Sequence, residues 1–321
     1  MAIPLRLSFL RVSVGLILFS LIFLLGACRS EPDSSPSPDT TVVIRVGDRT
    51  VMQDEFQREY DRTKNDLVRS GQIPSSDESQ AGDEEVRARI IALTLKKLAH
   101  KLLVCEEAER RSLTVTPTEV DAEVALLQLL YGSSSAYQWS LIQTYDGNEW
   151  QLRLDLEDRL SLEKVLVATD PDRFQASDED LARFYQANPS QYDRQEQLQV
   201  ARISVSPEDL PPSENLSSGE LDAFLEGEGN AEVLGYLAPS LLPPDLATLM
   251  STPVGQWIRT SETPTAAVFF KVMERVPAAR FDFSQIRPLV WRAYYKTTTE
   301  ELLPSLYDLL GAKIPVEVST P

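Results

Sequence analysis

Residues 198–205, LQVARISV, and residues 266–273, AAVFFKVM, decide the fold of this chain. Both place branched and aromatic residues at alternating positions, the period of two that a half-buried strand requires. Leu234 to Leu237 and Trp257 to Thr260 read as two further strands, with short helices over 219–225 and 245–250 between them. Strands separated by helices and closed by a hairpin describe a small α+β domain, assigned to 195–277.

Moving outward, the period changes from two to three or four. Toward the N-terminus, Val42, Ile44 and Val46 alternate with Val43 and Arg45, Gly47-Asp48 supplies a turn, and Thr50-Val51 precedes a helix from about Gln53 to Arg69. From Glu84 to Arg111 the residues Ile91, Leu95, Leu98, Leu102 and Cys105 fall on one face of a long amphipathic helix. His100, the only histidine, points to the opposite side of that wheel, toward solvent or a second interface. Cys105 sits within the apolar stripe, where a small buried residue suffices.

Thr116-Pro117-Thr118-Glu119 is a capping box with proline at the first helical position, and Ser177-Asp178-Glu179-Asp180 repeats the logic with an acidic third residue. Between them helices are expected around Ala136 to Tyr145 and from Asn148 to Val167, the latter offering Trp150, Leu152, Leu154, Leu160, Leu162 and Leu166 for burial. The acidic runs Asp83-Glu84-Glu85 and Asp178-Glu179-Asp180 mark helix starts, where they interact favourably with the positive end of the helix dipole, and are not read as a metal site. Beyond Pro277, Ser284 to Leu310 reads as one more helix and Lys313 to Val318 as a strand-like tail.

At the far N-terminus, Arg6 and Arg11 form a basic leader, Val12 to Leu25 is an uncharged apolar run, and Leu25-Gly26-Ala27-Cys28 closes it. That order is a secretory signal, and the run falls short of the roughly 20 residues that span a bilayer. The tetrapeptide resembles the bacterial lipobox, which implies cleavage before Cys28 and acylation of its thiol. Residues 1–27 are thus a signal peptide and 28–40, polar and proline-rich, a solvated tether. The expected location is the bacterial cell envelope, on the periplasmic side, with the lipid as the membrane contact.

The formal charge is −18, and loss of Arg6 and Arg11 with the leader takes it to −20. So large an acidic excess argues against a nucleic-acid partner and against peripheral docking on anionic lipid. One histidine limits metal sites and nucleophile–histidine pairs, and no Gly-rich phosphate loop, Gly-x-Ser-x-Gly elbow or Cys-x-x-Cys occurs, so no cofactor is expected.

Taken in order, Val46-Gly47-Asp48-Arg49-Thr50-Val51 with Glu55-Phe56, the run Lys101 to Ala108, Ser177 to Tyr192, Leu234-Gly235-Tyr236-Leu237, Pro244 to Gly255 and Phe269-Phe270-Lys271-Val272 resemble the SurA-type periplasmic foldases. The resemblance implies a helical chaperone domain over 41–194, a parvulin-like peptidyl-prolyl isomerase domain with an antiparallel four-stranded sheet inserted at 195–277, and a C-terminal helix within 278–321 that completes the helical domain. It also implies clients that are unfolded or exported polypeptides.

Active parvulins are similar to one another in carrying a histidine on each of two adjacent strands. Here Arg202 and Val268 stand at those positions. Leu242, Leu246 and Met250 align with the family's apolar cup for the proline ring, and they serve equally well as core. Three readings follow: a tethered chaperone whose isomerase domain has lost most of its rate enhancement, an active isomerase that uses Arg202 or backbone groups, and a dedicated assembly or interaction subunit of an envelope complex.

Overall fold

A computed structural model describes residues 41–73, 83–206, 208–210, 218–227, 231–263 and 266–319. The stretches expected to be a signal peptide (1–27) and a tether (28–40), with Cys28, lie outside the described residues. In order, the elements are β1 (Val42–Val46), β2 (Arg49–Met52), α1 (Gln53–Arg69), α2 (Asp83–Arg110), α3 (Pro117–Tyr131), α4 (Ser134–Tyr145), α5 (Glu149–Thr169), a 3-10 turn (Pro171–Phe174) and α6 (Asp178–Ala187). They continue with β3 (Gln197–Val205), α7 (Ser218–Gly227), β4 (Glu232–Leu237), a 3-10 segment (Pro244–Met250), β5 (Trp257–Thr263), β6 (Ala266–Val276), α8 (Phe283–Tyr294), α9 (Lys296–Gly311) and β7 (Val316–Val318). The class is α+β, mostly helical, with antiparallel sheets.

Two compact units emerge, and both are discontinuous in sequence. The first draws its described residues from 41–124, 148–181 and 288–319. Its sheet has the order β2-β1-β7, so the last strand returns to pair antiparallel with the first. Val43, Ile44, Val46, Val51, Phe56, Leu102, Val165, Leu306 and Leu310 build one core from β1, β2, α1, α2, α5 and α9. Strict alternation in β1 fails, because an irregularity between Val42 and Ile44 turns Val43 inward beside Ile44.

Both capping boxes form. The Thr116 hydroxyl accepts from the Glu119 backbone N–H at 3.3 Å while the Glu119 carboxylate accepts from the Thr116 N–H at 2.8 Å, and Ser177 and Asp180 do the same at 3.2 and 3.0 Å. In α5 the buried residues Leu152, Leu156, Leu162 and Leu166 keep helical spacing. Trp150, expected inside, is 52% exposed: it sits in the first turn of α5, while Leu154, one turn further along the same side, is buried. The helix expected over 284–310 is two helices. Tyr295 breaks them at φ −95°, ψ 9°, its ring packed against Phe174 and Trp291 and its hydroxyl accepting from the Ala176 N–H.

The second unit takes its described residues from 125–147 and 182–287. Its four strands run β4-β3-β6-β5, every pair antiparallel, with β3 and β6 as central neighbours. One face of the sheet packs Ala201, Ile203, Val205, Phe269 and Trp257 against Leu225 of α7. The other packs Leu198, Val200, Phe270 and Val272 against Leu246 and Leu249 of the 3-10 segment.

The end of α3 and all of α4 belong to this unit through specific contacts. Arg194 reaches back to donate to the Leu129 carbonyl at 3.0 Å and to the Pro277 carbonyl at 3.1 Å, and its backbone bridges Ala279 in both directions. Its cation therefore satisfies the orphan carbonyls at a helix C-terminus and staples the two chain segments that enter and leave the sheet. Gly132, at φ +77°, is the residue that permits this, since a Cβ there would lie 2.1 Å from Arg194 Nη1.

Candidate functional site

The site expected from the sequence lies on the face of the sheet covered by the 3-10 segment Pro244–Met250. Val268 of β6 pairs with Ser204 of β3, and Arg202 of β3 pairs with Phe270 of β6. Directly opposed residues share a face, so Arg202 is on the side of Phe270, and the two expected positions sit diagonally across the central strand pair. Leu242, Leu246 and Met250 join Val268, Phe270, Val272 and Ile258 in a single apolar cluster. All five described site residues thus come to one face, while Cys28 lies outside the described residues.

The chemistry available there is narrow. Val268 is partly buried against the cluster and contributes methyl groups alone. Arg202 Nη2 lies 3.0 Å from Glu232 Oε2 on the neighbouring strand β4, in a cross-strand pair whose side chains are 39% and 61% exposed. An exposed pair of this kind contributes little, about 0–1 kcal/mol, to stability. It nevertheless directs the guanidinium to a carboxylate on the edge strand. Leu246, Leu249 and Phe270 are buried, so these side chains act as core, each fully buried one contributing roughly 1.5–3 kcal/mol.

Beside this face the structure adds residues that the sequence reading did not identify. Gly235 of β4 takes φ +93° and lies against the indole of Trp139 from α4; a Cβ on it would stand 2.7 Å from Trp139 Nε1. Tyr236 donates its hydroxyl to Glu274 at 2.6 Å. Burial, then Glu274, pushes the Tyr236 phenol up to about 12. Burial works to raise Glu274 as well, but hydrogen bonds from Tyr236, Ser133 and Ser135 outweigh it and hold the carboxyl below its ordinary value. The start of α4 is therefore fastened to β4 and β6 by a polar cluster. A glycine inside an otherwise regular strand signals a close backbone approach, and that was the one clue available in Leu234-Gly235-Tyr236-Leu237.

The chain's single histidine lies in the other unit. His100 on α2 stacks on Tyr307 of α9 with ring centroids 3.6 Å apart. Burial, then nearby Lys96, lowers its imidazole to about 4.

Comparison with known proteins places two family models on the chain. Residues 6–165 match the SurA-like N-terminal domain, and residues 176–288 match the PPIC-type PPIase domain. Among solved structures, the chain is similar to one determined in work on the two SurA-like chaperones PEB4 and Cj1289 of Campylobacter jejuni (14% identity over 87% of this chain and 99% of the other, TM-score 0.30). It is also similar to the foldase PrsA of Lactococcus lactis (11% over 87% and 95%, TM-score 0.32) and to the peptidylprolyl isomerase PrsA of Bacillus anthracis (14% over 68% and 96%, TM-score 0.25). At such scores these likenesses carry no weight for function. No curated protein matches the chain.

Proposed function

The chain belongs to the SurA-type family of parvulin foldases, and from that premise we propose that it is a lipid-anchored envelope chaperone whose isomerase domain binds polypeptide without accelerating prolyl isomerisation appreciably. Its clients are unfolded or exported polypeptides, and the acyl chains on Cys28 hold it to a membrane on the periplasmic side. Anchoring is supported by the basic leader, the uncharged run and the small residues that end at Cys28.

The catalytic half of this reading is supported by the sequence: the resemblance puts Arg202 and Val268, on paired strands, where the family would carry imidazoles, and His100, the only histidine, is on α2 against Tyr307. Rotation about a prolyl amide faces a barrier of about 18–20 kcal/mol, lowered by polar groups that favour the twisted amide over the planar one. Valine supplies none. An isomerase relying on Arg202 is disfavoured by the Glu232 carboxylate that competes for the same guanidinium.

A proline-peptide isomerisation assay on the mature chain tests this. The expected rate is close to that of the uncatalysed peptide, unchanged in Arg202→Ala. A rate well above background that Arg202→Ala abolishes would replace this reading with that of an arginine-dependent isomerase.

A further inference from the structure

β7 is an edge strand of the sheet β2-β1-β7 in the first unit, and its residues Val316, Glu317 and Val318 are all exposed. Val316 pairs with Val46, Glu317 with Arg45 and Val318 with Ile44. The Gly47 N–H donates to the Pro315 carbonyl at 3.2 Å, and the Ser319 N–H donates to the Val43 carbonyl at 2.8 Å. In an antiparallel ladder this pattern turns the Pro315 carbonyl, both backbone groups of Glu317 and the Ser319 N–H toward β1. The N–H and C=O of Val316 and of Val318 therefore point away from it, and they have no hydrogen-bond partner among the described residues.

Side chains divide between the two faces of this edge. Directly opposed residues share a face, so Val316 and Val318 lie on the side of Val46 and Ile44, which are fully buried. The cover over β1 does not reach the two edge valines, which stay 39% and 53% exposed. Glu317 lies on the other face beside Arg45, whose Nε is 3.9 Å from its carboxylate, and its side chain is 73% exposed. So loose and open a pair leaves the carboxylate free to meet a second cation.

We propose that this edge takes up an extended segment of a client polypeptide as an added antiparallel strand, and that the segment it favours alternates apolar and basic residues. The proposal rests on the chaperone reading and gives it a place of contact. The outward groups of Val316 and Val318 supply the backbone bonds of strand addition. Client residues opposite the two valines share their face and cover them, so they are apolar; the residue between them faces Glu317, so it is basic. A second copy of the chain is the poorer occupant. The register in which two β7 strands share all their outward groups sets Glu317 opposite Glu317, and each copy carries a formal charge of −18.

Amide hydrogen exchange on the mature chain, with and without a synthetic peptide of alternating valine and lysine, reads the edge directly. The Val316 and Val318 amides are expected to exchange freely without peptide and to slow by about tenfold or more when it saturates, while the Glu317 amide, bonded to β1, is slow throughout. Val318→Pro deletes one outward donor and no bond to β1, so it should weaken peptide binding roughly fivefold or more with an unchanged melting temperature. The same peptide methylated at alternate backbone nitrogens should not bind at the edge. A peptide that binds without slowing these two amides, that binds Val318→Pro as tightly, or that does not bind at all would overturn strand addition. If the chain still keeps unfolded clients soluble in that case, the chaperone reading stands and only its place of contact is lost.

Discussion

Val268 adds its methyl groups to the apolar cluster under the 3-10 segment, and Arg202 is turned to Glu232. Positions 242, 246 and 250 lie off the strands and read in the sequence only as apolar, whereas the shared face of Arg202 and Val268 was legible there, because a strand's period fixes which residues lie together. Glu232 as the arginine's partner was not, since cross-strand pairing depends on register, and a bulge at Val200/Ala201 shifts it by a residue. Gly235 follows the same logic. Gly235→Ala is expected to lower the stability of its unit by about 1–3 kcal/mol, because φ +93° is strained for alanine and the new Cβ meets Trp139. Denaturant unfolding measures it, and an unchanged midpoint would show that β4 and Trp139 can separate without loss. His100 gives a pH prediction. Its folded value of about 4 lies below 6.5, so the stability linked to its neutral form is present above pH 6.5 and declines as pH falls toward 4. The imidazole resonances should titrate near 4 in the native chain and return toward 6.5 in Tyr307→Ala.

Among the elements, the helix starts were readable to within a few residues because capping is a local affair, settled by side chains three positions apart. Thr116→Ala should destabilise the first unit by about 1 kcal/mol, as loss of an N-cap usually does. The contacts that set α4 against the sheet were not readable. Arg194 reaches carbonyls of α3 that lie 65 positions earlier, and nothing in a local pattern marks such a bond. The same limit hid the break at Tyr295, which comes from a ring buried against Phe174 and Trp291 rather than from any helix-breaking residue. Arg194→Lys keeps the charge but cannot serve both the Leu129 and Pro277 carbonyls with a planar fork, so it should lower the melting temperature nearly as much as Arg194→Ala. Full rescue by lysine would argue that charge alone, and not the fork, is what this position supplies.

At the scale of the whole molecule, the chain leaves the first unit and returns to it, and the return is secured by buried charge. Arg292 on α8 donates to Glu123 and to Glu163, each at 2.6 Å, and Arg159 donates to the same Glu123 at 2.5 Å. Burial works to lower Arg292, but Glu163 and Glu123 overturn it and hold the guanidinium firmly protonated. Arg292→Ala takes from Glu123, 8% exposed, one of its two guanidinium partners while Arg159 stays, and should cost about 1–3 kcal/mol. Cys28→Ser should move the protein from the membrane fraction to the soluble one, while a chain that stays with membranes would point to a different attachment.

Binding without catalysis is tested most directly by following, with the mature chain in stoichiometric amount, the refolding of an aggregation-prone client whose slow phase is limited by a prolyl bond. The expected result is a larger yield of soluble client with the slow phase at its uncatalysed rate. A slow phase accelerated by the chain, or a yield no greater than that with an inert protein, would contradict it.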